Sequence, residues 1–279
     1  TMMNNARLGV GVQGIGAAEA AYQHALSYAM ERKQGKASGS GAIIEHADVR
    51  RMLAGMKADI FAARAIALMN AVAIDMAVAT DDDAWRARAA FLTPIGKAFG
   101  TDVGIDVANT GVQVHGGMGF IEETGAAQYS RDVRVTAIYE GTNGIQAMDL
   151  VARKLKDGGE AAFAILDEIE ANAEAAKAAL PDLAQAVWSA AETLRETTEW
   201  LVEQELTDRF AGAAPFLRGF ARVLGGHAHL SAAMAGDGAR VRLATFYINS
   251  LLPEHGALLA QTREGAADLM AITADDLGA

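Results

Sequence analysis

Residues 48–79 read DVRRMLAGMKADIFAARAIALMNAVAIDMAVA, and this stretch decides the fold. Leu53, Met56, Ile60, Ala63, Ala67 and Ile74 recur at helical spacing, so they share one face of a helix and would scatter over both faces of a strand. A helix is therefore expected over 48–79. The most apolar part, 61–79, is interrupted by Arg64, Asn70 and Asp75, which argues against a membrane span. Thr80-Asp81-Asp82-Asp83 then stops this helix and caps the next.

Outward from this stretch the same grammar repeats. Residues 8–32 are apolar and rich in small side chains, and predict a helix ending near Gly35, followed by a loop over 36–42 (KASGSGA). A third helical stretch is expected over 84–114, with Thr93-Pro94 marking a kink or a fresh start. HGGMG (115–119) reads as a tight glycine turn. A short helix near 122–131, an extended piece over 133–139, a second turn at 140–143 and a last helix reaching Lys156 complete this half. Lys156-Asp157-Gly158-Gly159 looks like a junction between 1–156 and 157–279. Beyond it, Leu183, Val187, Ala190, Leu194, Thr197 and Leu201 keep the 4-3 spacing of a bundle seam, with a helix start at Pro181-Asp182. Further helices are expected over 213–235, 239–252 and 254–271. The fold class is all-α: a four-helix bundle followed by a second helical bundle.

Composition agrees and narrows the function. With 4 prolines, abundant alanine and aromatics at only 6%, helices are favoured over sheets. A net charge of −11 argues against a general affinity for nucleic acid or anionic membranes, while leaving room for a local basic pocket. The chain has no cysteine, so disulfides and thiol catalysis are excluded. That fits a reducing compartment, and a cytoplasmic protein is expected.

Four segments stand out. Gly9-Val10-Gly11-Val12-Gln13-Gly14 matches G-x-G-x-x-G formally, but no strand precedes it, so close helix–helix approach is the preferred reading. Gln113 to Gly119 (QVHGGMG) either stops a helix or lets backbone N–H groups approach a ligand. Tyr139-Glu140-Gly141-Thr142-Asn143 sets a carboxylate before a helix start, where it either complements the helix dipole or serves as a general base. Arg32-Lys33-Gln34 either binds phosphate or complements a helix C-terminus. Arg131-Asp132-Val133-Arg134 reads as a structural ion-pair cluster. His227 and His229, two apart, point in different directions on a helix, and no metal site is expected.

Taken together, MERKQGK (30–36), QVHGGMGF (113–120), SRDVR (130–134) and IYEGTNGIQ (138–146), in this order and spacing, resemble the acyl-CoA dehydrogenase family over roughly residues 4–155. The family has an N-terminal helical domain, a middle β-domain and a C-terminal four-helix bundle, and the resemblance is to the last. The region after about residue 156 is similar in character to the extra helical domain of longer members, of the methylthioalkanoyl-CoA type.

The resemblance implies FAD as cofactor, an acyl-CoA thioester as substrate and α,β-dehydrogenation as the reaction. It makes Glu140 the base that removes the α-proton, with Arg7 near the thioester and Gly141 lining the substrate site. It assigns Arg32 and Gln34 to the FAD pyrophosphate or adenosine, Gln113, Gly116 and Gly117 to the FAD of a neighbouring subunit, and Thr142 and Asn143 to the flavin nucleotide, with His46 as a further contact. It implies a homo-oligomer and an electron-transfer flavoprotein as partner, and residues 1–279 alone are expected to be inactive. Three departures matter. Gln34 passes directly to Gly35 where many relatives have an aromatic residue. His115 stands where an aliphatic one is common. Positions 3–6 hold no carboxylate to compete with Glu140. The competing expectations are an acyl-CoA oxidase, which would release peroxide in air, and a non-catalytic helical interaction module.

Overall fold

The computed structural model describes residues 2–36 and 38–279; Thr1, and Ala37 of the expected loop, lie outside the described residues. The described residues are predominantly helical. Among the described residues the only β-type pairing is an isolated bridge between Lys33 and Ala42. Three long helices, α1 (Met2–Glu31), α2 (Ala47–Thr80) and α3 (Asp83–His115), form the first layer. A one-turn helix α4 (Gly117–Phe120), α5 (Ala126–Val133) and α6 (Asn143–Asp149) follow, and α6 continues as a π-helical turn over Leu150–Lys154. Then come α7 (Glu160–Ala176), α8 (Pro181–Glu203), α9 (Leu206–Ala211), α10 (Ala213–Ala235), α11 (Gly238–Phe246), a π-helical turn over Tyr247–Leu251, α12 (Glu254–Arg263), α13 (Ala267–Ala271) and α14 (Ala274–Gly278).

Glycine sets the architecture of the first bundle. Gly11 and Gly14 of α1 lie against the backbone of Gly96, Gly100, Thr101 and Gly104 of α3; a Cβ on Gly14 would meet the Gly100 carbonyl oxygen at 2.5 Å. Higher up, Ala21 abuts Gly111, and Tyr28 stacks on His115 at 4.4 Å between ring centroids. The two helices therefore run parallel in close contact, and the formal dinucleotide motif is a helix-packing surface. The antiparallel α2 fills the groove beside them. Asn70, buried at its centre, donates to Thr93 Oγ1 at 3.3 Å, and Arg64 pairs with Glu19 at 2.6 Å. By length and composition α2 could cross a membrane, but its stripe of Leu53, Met56, Ile60, Ala63 and Ile66 is buried in protein.

Three expectations need correction. Thr93-Pro94 does not start a new helix: α3 runs unbroken through Pro94, and the Thr93 hydroxyl donates to the Ala89 carbonyl at 2.7 Å in the turn the proline disturbs. Residues 133–139 are not extended. Val133 ends α5, and Arg134–Ala137 form a 3-10 turn with Thr136 and Ala137 buried, so β-branched composition yields to packing. Arg131 pairs with Glu122 (2.7 Å) rather than within its own cluster.

The second set of helices packs against the first. One continuous apolar core joins Ile66, Phe91 and Phe99 to Phe216, Phe220, Leu194 and Tyr247. Phe91 meets Phe220 edge-to-face at 5.0 Å. All six seam residues of α8 expected from the heptad spacing are buried, and Pro181 opens that helix. Between the layers lies Arg222 of α10. It pairs with Asp59 of α2 and, at 2.5 Å, with Glu254 of α12. Burial alone would disfavour its charge, but Tyr247, Asp59 and Glu254 around it hold the guanidinium protonated.

Candidate active site

The corner between the 3-10 turn and α6 is the most unusual backbone in the molecule. Glu140 has φ 54° and Gly141 φ 85°, two left-handed residues in succession. Among non-glycine residues described, only Asp81 shares this conformation, and Asp81 is the ordinary C-cap of α2. A glutamate held there costs on the order of 1–3 kcal/mol, so the surrounding structure must impose it. It does so through Gln146, whose buried amide donates to the carbonyls of both Glu140 (3.1 Å) and Gly141 (3.2 Å). Thr142 caps α6 by accepting from Ile145 N at 3.3 Å. The Tyr139 hydroxyl bonds to Gln13 of α1.

Beneath the corner is a charged cluster that periodicity did not reveal. Asn143 is turned inward: its Oδ1 accepts from Lys97 Nζ at 2.8 Å, and its Nδ2 donates to Asp102 Oδ1 at 2.6 Å. Lys97 is fully buried on α3. Desolvation lowers its pKa to about 8; Asp102 and Glu140 oppose that shift, while the positive charge of Arg7 adds to it. Burial likewise pushes Asp102 up, against the hydrogen bond from Asn143 and the charge of Arg218. Arg7 of α1 reaches Asp149 Oδ2 at 3.2 Å, and Asp149 also pairs with Arg153. Arg7 Nε is buried without a partner, as is Gln146 Oε1. A buried donor on an arginine with no acceptor is expensive, and it marks a place where a ligand oxygen would be welcome.

Arg7, Glu140, Gly141, Thr142 and Asn143 are thus brought together at one level of the bundle. The remaining expected site residues gather elsewhere. Arg32 bonds to Gln34 Oε1 (3.3 Å), and His46 Nε2 donates to the Gln34 carbonyl at 2.8 Å. Gly35, at φ 73°, lies under the His46 ring, where a Cβ would meet Nε2 at 3.3 Å. In place of the missing aromatic, the segment packs a glycine against an imidazole. Because α1 and α3 are parallel, this cluster and the turn after His115 lie at the same end. There Gly116 (φ 61°) and Gly117 are exposed with open space around their missing Cβ positions, and Gln113 is exposed one turn earlier. From Thr101, beside Asn143, to Gly116 is about 22 Å along the helix at 1.5 Å per residue. The two groups are separate surfaces of one chain.

The residues at the second surface fit a dinucleotide phosphate. Among the described residues Arg32 has no carboxylate partner, the two glycines leave the backbone accessible, and buried His115 Nε2 lacks a hydrogen-bond partner. His227 and His229 do diverge, His227 toward Asn172 and His229 toward the Ala58 carbonyl.

The domain is all-helical, with a strained carboxylate corner at mid-height and a basic, glycine-opened end. Known proteins define the class further. Residues 1–156 match the family described as "Acyl-CoA dehydrogenase, C-terminal domain", and residues 165–273 match "Acetyl-CoA dehydrogenase C-terminal like". The 3-methylmercaptopropionyl-CoA dehydrogenase of Ruegeria pomeroyi is 44% identical over 231 residues, which are 77% of this chain and 39% of that protein. The Caenorhabditis elegans protein ACDH-11, solved in complex with C11-CoA, superposes with a TM-score of 0.76 at 20% identity over 88% of this chain and 42% of the other. An acyl-CoA dehydrogenase from Bacillus anthracis complexed with FAD superposes at 0.68, also 20% identical, over 99% and 51%. At that identity the two structures show a shared fold. This chain belongs to the acyl-CoA dehydrogenase family. It spans between 27% and 39% of the length of the first curated relatives it matches.

Proposed function

We propose that the chain is the C-terminal part of a FAD-dependent acyl-CoA dehydrogenase, divided near residue 156 into a four-helix-bundle part and an accessory helical part, and that Glu140 removes the α-proton of an acyl-CoA thioester. The observation that carries this reading is the left-handed Glu140–Gly141 corner. It sets a half-buried glutamate beside a residue with no side chain to block a substrate. A thioester α-proton is weakly acidic, so base and carbonyl polarisation must act together. The unpaired Nε of Arg7 supports a role beside the acyl group. When bound, FAD supplies the hydride acceptor that no side chain provides. Arg32, Gln34 and His46, with Gln113, Gly116 and Gly117, would hold its nucleotide end. The separation of about 22 Å along α3 between Thr101, beneath the Glu140 corner, and Gly116 supports a cofactor shared between subunits of a homo-oligomer. The family likeness supports an electron-transfer flavoprotein as electron acceptor, and the relative's name favours a dehydrogenase over an oxidase.

The test is Glu140→Gln in the intact enzyme. FAD content stays at wild-type level, while substrate-dependent bleaching of the flavin and α-proton exchange fall by at least ~10³-fold, the scale of a lost general base. Full bleaching at the normal rate rejects the assignment.

A further inference from the structure

We infer that Lys97 is a positioning residue for the Glu140 corner, its buried ammonium holding Asn143 in place and supplying the positive field in which the carboxylate works. The inference rests on the role proposed for Glu140 and extends it to a residue of another helix.

The geometry is direct. Lys97 is fully buried in α3, and its Nζ donates to Asn143 Oδ1 at 2.8 Å. Asn143 is the first residue of α6 and follows the left-handed pair by one residue, so a side chain that fixes Asn143 fixes where the corner starts. The same amide is tied on its other side to Asp102 (2.6 Å) and to Thr101 (2.9 Å), giving α3 a three-point hold on the corner. The charged groups facing Lys97 come from every neighbouring element. They are Asp102 on its own helix, Arg7 from α1 and Glu140 from the corner, while Arg218 of α10 and Asp106 act through Asp102. Asp149 of α6 is occupied by Arg7 and Arg153 and leaves Lys97 to Glu140 and Asp102. A buried lysine is costly, and an apolar side chain would fill this position more cheaply if packing were its only task. Its retention follows if the charge is used.

Burial lowers the Lys97 pKa to about 8, so its proton is lost within a range where the enzyme can be assayed. The wild-type intact enzyme should therefore show a falling limb in the rate of flavin reduction near pH 8, and this measurement needs no variant. Lys97→Met, which keeps length and removes both hydrogen bond and charge, should lower kcat at least tenfold with KM changed less than twofold. It should also abolish the falling limb near pH 8. Lys97→Gln keeps an amide donor toward Asn143 without the charge, and should likewise lack the falling limb near pH 8, with a smaller loss of kcat. A wild-type rate that is flat from pH 7 to 9.5, or a folded, flavin-loaded variant with wild-type kcat and pH profile, overturns the inference. If Glu140→Gln is inactive while the Lys97 variants are normal, Glu140 keeps its role and Lys97 loses this one. If Glu140→Gln reduces flavin normally, the underlying reading fails first.

Discussion

Glu140 and Gly141 contribute opposite things to the same corner. The glutamate carries a conformational cost in the left-handed region, and the glycine removes that cost at the next position. Gly141→Ala tests the second statement. Its φ of 85° excludes a relaxed alanine, and a Cβ would lie 2.8 Å from Gln146 Nε2, which straps both carbonyls. A loss of about 1–3 kcal/mol in urea unfolding is expected, together with weaker activity in the intact enzyme. An unchanged midpoint would show the corner to be far softer than drawn. At this scale the sequence was informative about Glu140, Gly141 and Thr142, because turn formers beside an acidic residue leave a local trace. It was silent about Lys97, Asp102, Gln146 and Asp149. A lysine within TPIGKAFG, between a proline and a phenylalanine, is the one signal that would have drawn attention to a buried cation.

Helices α1 and α3 hold together through absent side chains. The glycines of α1 differ sharply in what surrounds them, which gives a paired test. Gly9 has nothing within 4 Å of its missing Cβ, so Gly9→Ala should stabilise the chain by about 0.5–1 kcal/mol through helix propensity. Gly14→Ala places a methyl 2.5 Å from the Gly100 oxygen and must push the helices apart, at about 2–3 kcal/mol or more. Equal effects in chemical denaturation would contradict the close parallel packing. The wedge also has a functional consequence: Thr101, next to Gly100, contacts Asn143, so separating α1 from α3 moves the floor of the Glu140 corner. Periodicity revealed the existence of these helices. Their parallel direction and the unbroken passage through Pro94 depended on contacts between residues more than 80 positions apart.

In the whole molecule the second set of helices acts as a wall of the first. His229 of α10 sits at that boundary, stacked on Tyr247 at 4.4 Å, close to Phe61 of α2, with Nε2 donating to the Ala58 carbonyl at 3.1 Å. Desolvation lowers its pKa to about 4, helped by Arg240, so the folded state strongly prefers the neutral ring. His227 and His115 are shifted the same way by burial. The sign follows from linkage: the unfolded chain binds the proton more readily. The stability is therefore complete above about pH 6.5 and declines as pH falls toward 4. For His229 the loss reaches about 3 kcal/mol at most. Thermal melts between pH 7.5 and 4.5 should show a falling midpoint that is shallower in His229→Gln. Parallel curves for the two proteins would remove His229 from the account.

The sequence alone determined the helical class, the existence of the long helices, the seam of α8 and the family motifs, because each is written in residues within a few turns of one another. Tertiary structure alone decided that the two sets of helices share a single core, that residues 133–139 coil instead of extending, and that a lysine from α3 lies under the glutamate corner. The physical reason is common to all three. Desolvation, ion pairing and interhelical packing act between residues distant along the chain, and local pattern carries no record of which distant groups will meet.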